Sequence, residues 1–239
     1  MSSRTVLNYG LLSIVLATQA SCTIRSNWPE HQVRIELEPT LHDQAVVDAL
    51  ASQELWIVVD AVELIPCDAQ LSNVPVPLSK IFENISFISN SYAHGPTTPI
   101  RQGVPNIIGL HQLQTMELAT FEPPPDSYCA LKVDVGPADD DAYNLSAKNS
   151  FVEDHSIYYR DDNDHTMALA TLRTDHTFTL DESTWTFGVE QDQHHTITIK
   201  LDLDQLLADK LPENIDDSGR TLLTRMSGAW AMESTQEVH

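Results

Sequence analysis

The chain has 239 residues, of which 35 are Asp or Glu and 13 are Lys or Arg, so its formal net charge is −22. This charge argues against nucleic acid and anionic lipid surfaces as partners, because both would be repelled. The length is sufficient for one domain with a substantial core, and the acidic charge suits cationic ligands as well as solubility.

The first residues predict export. A short basic head with Arg4 precedes an apolar stretch from Val6 to Leu16, and small residues then lead to Cys22. This order is typical of a secretory signal peptide, and an apolar stretch of about ten residues is too short to span a bilayer. We therefore assign residues 1–21 to a signal peptide.

Two cleavage positions are compatible with this signal. Cleavage before Cys22 gives a lipoprotein with a lipidated Cys22, whereas cleavage after Ala20 releases a soluble protein with an unpaired thiol. We favour the lipoprotein, with residues 22–30 as a tether and the lipid as the only membrane attachment. Thr23 after the cysteine resembles the sorting pattern of outer-membrane lipoproteins. The alternative is a soluble periplasmic or secreted protein.

The other two cysteines, Cys67 and Cys129, form an even pair. Oxidising compartments favour a disulfide between such residues. Closing a loop of about 60 residues stabilises a fold by roughly 4 kcal/mol in the chain-entropy treatment. We predict a Cys67–Cys129 disulfide, and the alternative is two separate buried thiols.

The body of the chain alternates apolar and polar residues as β-strands do. Strands are predicted at Val33–Glu38, Leu55–Ile65, Tyr128–Val135, His176–Leu180, Trp185–Val189 and His195–Leu203. Residues 43–52 and 204–211 are expected to form short helices. We predict an all-β fold, an antiparallel β-sandwich with one or two short helices, over residues 31–212. Residues 213–239 are expected to form a polar, loosely held C-terminal tail.

The chain contains ten histidines, which strand alternation sorts by face. His31 shares its parity with Val33, and His195 shares its parity with Ile197, so both imidazoles are expected on core-facing sides. With His94 in a loop and His176 on another strand, they are expected to gather at one end of the sandwich. Imidazole suits copper or zinc. The alternative is a set of hydrogen-bonded strand-end and loop histidines.

Other chemistry finds little support. The acidic runs at 139–141 and 161–164 lack the spacing of calcium-binding loops, which favours solvated turns. The chain contains neither a Gly-x-Ser-x-Gly motif nor a Gly-rich phosphate loop. We therefore predict that the protein is not an enzyme.

Five segments resemble the copper-associated surface proteins of methane oxidisers and their relatives, of the metallo-mystery pair or copper-repressible type. They are Val33–Pro39, Leu55–Ile65, Ala93–Pro105, Pro125–Asp141 and Ile197–Leu206. The resemblance implies a surface β-sandwich, a dihaem peroxidase as partner, and copper held between histidines and an oxidised tryptophan. The matching residues here are His31, His94 and Trp28, to which strand parity adds His195.

The sequence thus predicts a lipid-anchored envelope protein that binds a transition metal, with copper the favoured metal, without turnover. The alternative is an envelope interaction module that binds a protein or glycan through its loops and holds no metal. A hydrolase is the least supported of the three functions.

Overall fold

A computed structural model describes residues 31–68, 97–161, 163, 165–188 and 193–238. Cys22, Trp28 and His94, together with the predicted signal peptide and tether, lie outside these residues. Within them, two β-sheets pack around one main hydrophobic core, which confirms the predicted all-β sandwich. The strands are β1 (His31–Thr40), β2 (Glu54–Pro66), β3 (Arg101–Gln102), β4 (Asn106–Gly109), β5 (Met116–Phe121), β6 (Tyr128–Val135), β7 (Ile157–Arg160), β8 (Thr166–Ala170), β9 (Thr174–Thr179), β10 (Gln193–Asp202) and β11 (Trp230–Val238). The α-helices are α1 (Gln44–Leu50), α2 (Leu203–Leu207) and α3 (Ile215–Ala229).

The four-stranded sheet has the order β11-β10-β1-β5. Its central strands β1 and β10 run parallel, with Val33 opposite His195, whereas β5 and β11 pair antiparallel to their neighbours. Alternate residues of both central strands are buried, as period-two patterning requires. The predicted core-facing parity of His31 and His195 is therefore confirmed.

The seven-stranded sheet follows the order β8-β7-β2-β6-β9, and β3 and β4 also pair with β2. Strand β2 is buried on both faces, which explains its nearly continuous apolar sequence. Leu55 and Ile57 face the main core, whereas Val58 faces a second, smaller apolar cluster. The buried Asp60 within this strand is paired with Arg173.

The predicted disulfide is confirmed. Cys67 follows the end of β2 and is bonded to Cys129 on β6, with a Cα–Cα distance of 4.8 Å. The amide of Cys67 also donates a hydrogen bond to the carbonyl of Ser127 at 2.8 Å. The crosslink thus joins two neighbouring strands of the larger sheet at one of its ends.

The C-terminal segment differs from the predicted polar tail. Helix α3 begins at an Asn214 cap, whose side chain accepts hydrogen bonds from two amides of the first turn. Leu222, Leu223 and Met226 lie in the main core, and β11 extends the four-stranded sheet. The segment looks polar by composition, but its few apolar residues have helical spacing and share one face.

Among the described residues, no helix has the length and apolar character needed to cross a membrane.

Candidate functional site

Two buried imidazoles lie on neighbouring strands of the four-stranded sheet, on its inner face. His31 begins β1 and His195 lies near the start of β10, diagonally across the parallel register in which His31 is opposite Gln193. Their exposed fractions are 4% and 2%. Alternation places each ring in line with the aliphatic side chains that follow it along its strand, so both point into the sandwich.

An aromatic wall surrounds the two rings. The His195 ring lies 4.6 Å from the ring of Trp185 and 5.0 Å from that of Phe187, between ring centroids. The His31 ring lies 5.1 Å from the same phenylalanine, and Tyr128 on β6 contacts that phenylalanine at 5.6 Å. The imidazoles thus occupy an apolar environment closed by residues of both sheets.

The segment that carries Trp185 and Phe187 is not the strand predicted for 185–189. Asp181 folds it back, since its carbonyl accepts the amide of Trp185 at 3.0 Å and its carboxylate accepts the amide of Ser183 at 3.1 Å. Only a single bridge, between Thr186 and Ser127, then ties the described part to the sheet. Local turn chemistry therefore outweighs the alternation of this segment.

The two imidazoles lack most of the hydrogen bonds that buried rings normally make. His31 uses Nε2 to donate to the carbonyl of Gly188 at 2.8 Å, which leaves Nδ1 unprotonated in the neutral ring. That Nδ1 has no partner, and neither ring nitrogen of His195 has one among the described residues. Three buried ring nitrogens are therefore unsatisfied, which is exceptional because most buried polar atoms are hydrogen-bonded.

Electrostatics keeps His195 neutral. Burial, with smaller contributions from the neighbouring His31 and His194, lowers the pKa of His195 from 6.5 to about 4. Neutral imidazole is the form that binds metal ions. At neutral pH the ring therefore offers a lone pair without first releasing a proton.

The expected gathering of histidines is only partly observed. His31 and His195 come together, but the His176 ring packs on Phe178 at 4.5 Å and lies 6.3 Å from Trp230. Trp230 is paired with the opposite end of β10 from His195, so His176 belongs to another part of the sandwich. Burial lowers its pKa too, with an opposing effect from Asp175, but its ring is only half-buried.

In the ranges that the structure describes, no histidine belongs to a group of three side chains with metal-ligand spacing. The acidic run at 139–141 does bring three carboxylates together, but two of its members are exposed. Any third ligand for His31 and His195 must come from elsewhere. The predicted ligands Trp28 and His94 lie outside the described residues and stay predictions.

Trp185 is 2% exposed and packs in the main core, where it also forms the wall against His195. The spacing of Trp185 and Phe187 by two residues, beside a histidine-bearing strand, is the signal that points to this wall.

Comparisons with family models, curated proteins and solved structures found no match for this chain.

Proposed function

We propose that this chain is an exported envelope protein, lipid-anchored at Cys22, that binds a transition metal without turnover. His195 and His31 are the proposed ligands, and copper is the proposed metal. The observation that carries the proposal is the set of three unsatisfied ring nitrogens on two adjacent buried imidazoles. The Cys67–Cys129 disulfide supports the extracytoplasmic location, since such bonds persist in oxidising compartments.

Energetics supports a ligand at this position. An unsatisfied buried polar group costs about 1–3 kcal/mol. Two such rings side by side make the metal-free core less stable than an aliphatic one of the same size. A bound cation would form coordinate bonds with the unsatisfied ring nitrogens of His31 and His195 and would offset that cost.

Donor chemistry favours copper among the divalent ions. Imidazole nitrogen is a good ligand for copper, zinc, iron and nickel, and copper binds most tightly in the general affinity order. The chain charge of −22 attracts cations to the molecule. Trp185 beside His195 also supplies the tryptophan–histidine pairing that the family resemblance implies for Trp28, now with a buried tryptophan.

Elemental analysis after periplasmic expression tests the metal site. We expect stoichiometric copper in the native protein and its loss in His195→Leu and His31→Leu, which replace an imidazole by an apolar group of similar volume. His176→Leu is the matched control and is expected to keep its copper. Equal copper content in all four proteins would reject the proposed ligands. An absence of stoichiometric metal, with the fold unchanged under chelation, would instead favour the interaction module.

The anchor is tested separately by the intact mass of membrane-extracted protein. We expect a mass that corresponds to a chain beginning at Cys22 with attached acyl groups and two fewer hydrogens for the disulfide. A chain that begins at Ser21 without lipid would contradict the anchor and leave the metal site untouched. The same spectrum reports any oxidation of tryptophan.

A dihaem peroxidase partner follows from the resemblance alone and is tested by co-purification.

A further inference from the structure

A second concave feature shares no residue with the imidazole pair. A groove of about 600 Å³ lies between α1, the paired strands β7 and β8, and the connection from α2 to α3. Its volume falls within the range of about 300–1,000 Å³ that is usual for small-molecule sites. Val46, Leu207 and Leu211 contribute to a wall that is mainly apolar.

Two large apolar side chains are exposed in this groove. Met167 on β8 is 39% exposed and Ile215 at the start of α3 is 41% exposed. At the inner end lies Tyr159, which is buried and donates its hydroxyl to the side-chain oxygen of Gln53. The groove therefore combines unfilled apolar surface with an inner polar group that is already satisfied, so an apolar body can enter without stranding that hydroxyl.

The wall formed by the α2–α3 connection is held in place by hydrogen bonds. The Arg225 guanidinium donates to the carbonyls of Leu206 at 3.2 Å and Asp209 at 3.0 Å. The hydroxyl of Ser218 donates to the carbonyl of Pro212 at 2.7 Å. Because these contacts tie both ends of the connection to α3, the groove is preformed and a ligand spends little free energy on ordering it.

The rim of the groove favours a positive charge. Asp209 and Glu213 line the groove together with the ammonium of Lys210, on a chain whose net charge is −22. The Arg225 guanidinium lies 3.8 Å from the Asp209 carboxylate, so Glu213 is the main acidic group that the rim offers to a ligand. Asp161 is also close to the groove, since its charge adds to burial in raising the pKa of Tyr159. The carboxylates here would repel an anionic head group and attract a cationic one.

We propose that this groove binds a small cationic amphiphile, with an alkyl or aromatic body against Met167 and Ile215 and its ammonium or guanidinium group at the Asp209 and Glu213 rim. The site is independent of the proposed metal. It gives the protein a second ligand class, one that matches its charge.

Three probes with the same chain length separate the chemistry, namely octylammonium, octanoate and octanol. We expect saturable one-to-one binding of octylammonium by titration calorimetry, at least about tenfold tighter than octanoate, with octanol between them. Glu213→Gln is expected to weaken octylammonium alone. Equal or tighter binding of octanoate, or no binding of octylammonium up to its solubility limit, would overturn the proposal.

Two groove variants and one matched control locate the site. Met167→Arg places a positive charge in the groove, and Met167→Trp fills it without adding charge, so both are expected to weaken octylammonium binding more than about tenfold. Leu172→Arg is the control, because Leu172 is similarly exposed, at 47%, but lies outside the groove. Circular dichroism confirms that each variant is folded. Equal affinities for the Met167 variants and Leu172→Arg would show surface binding and reject the groove.

Discussion

Helix α3 and the imidazole pair both contain buried polar groups, but these groups are hydrogen-bonded at the helix and largely unsatisfied at the imidazole pair. At α3, the buried hydroxyl of Ser218 and the guanidinium of Arg225 donate to the carbonyls of Pro212 and Asp209 in the connection before the helix. At the start of β1 and β10, His31 and His195 are buried, and three of their four ring nitrogens have no partner in the part of the chain that the structure describes.

The α3 region is thus fully explained by packing and hydrogen bonding, whereas the imidazole region is not. Proteins retain unsatisfied buried groups at a cost in stability, and such groups are found where function requires them. The comparison therefore supports the proposed metal site at the imidazole pair. It also predicts that Gly219→Ala in the helix lowers the free energy of unfolding, whereas His195→Leu in the imidazole pair raises it.

The largest expected effect lies in the helix region, at Gly219. A Cβ placed there would lie 1.9 Å from the carbonyl oxygen of Leu169 and 2.9 Å from the amide nitrogen of Ala170, so α3 could not stay in contact with β8. We expect Gly219→Ala to lower the free energy of unfolding by about 5 kcal/mol, beyond the usual cost of overpacking. Urea denaturation followed by circular dichroism measures it.

Gly228 on the same helix provides the control. Its Cβ would meet only the flexible end of Gln205, at 3.2 Å. Because alanine is the better helix former, Gly228→Ala is expected to be neutral or to stabilise by up to about 1 kcal/mol. Similar losses in both variants would mean that α3 does not pack on β8 as described.

The second effect belongs to the imidazole end, where the disulfide joins β2 and β6 beside Tyr128. Cys67→Ala/Cys129→Ala opens a crosslink with a sequence separation of 62 residues. The free energy of unfolding is expected to fall by about 4 kcal/mol. Denaturation of the native protein with and without a reducing agent should reproduce this difference. A loss below about 1 kcal/mol would show that the crosslink does not stabilise this end.

Several strands could be predicted from the sequence because a strand buried on one face alternates apolar and polar residues. That pattern gave β1, β6 and β10, and it placed His31 and His195 correctly on the inner face. Helix α3 was not predicted because its few apolar residues are separated by Thr, Arg and Ser. Their helical spacing is therefore hard to recognise in a segment that is polar by composition.

The composition of the site was only half predictable. Parity fixes which face a side chain takes, but not which strands become neighbours. The parallel pairing of β1 with β10 joins residues far apart in the sequence and brings the two imidazoles together. The wall formed by Trp185 and Phe187 depends on how the chain folds after the turn at Asp181, where alternation predicts a strand at 185–189.

The third effect is a pH dependence that arises at His195. Because burial lowers the pKa of His195 from 6.5 to about 4, the unfolded chain binds a proton between these pH values that the folded chain does not. In metal-free protein the free energy of unfolding should therefore fall as the pH falls from 6.5 to 4, by up to about 3 kcal/mol. Chemical denaturation at a series of pH values measures the slope. A His195→Leu slope equal to that of the native protein would contradict this origin.

The smallest expected effect is an increase in the free energy of unfolding, and it is measured by comparing substitutions of two histidines. At neutral pH and without metal, His195→Leu removes unsatisfied nitrogens from an apolar site, so we expect the free energy of unfolding to rise by about 1–3 kcal/mol. His176→Leu removes a ring that is only half-buried, and a change within about 0.5 kcal/mol is expected. Denaturation of both variants with a chelator present makes the test. If His195→Leu destabilises the metal-free protein, the imidazole contributes to packing, and the contrast with the helix region disappears. If it stabilises the protein and also removes copper, His195 is retained at a cost in stability because it binds metal.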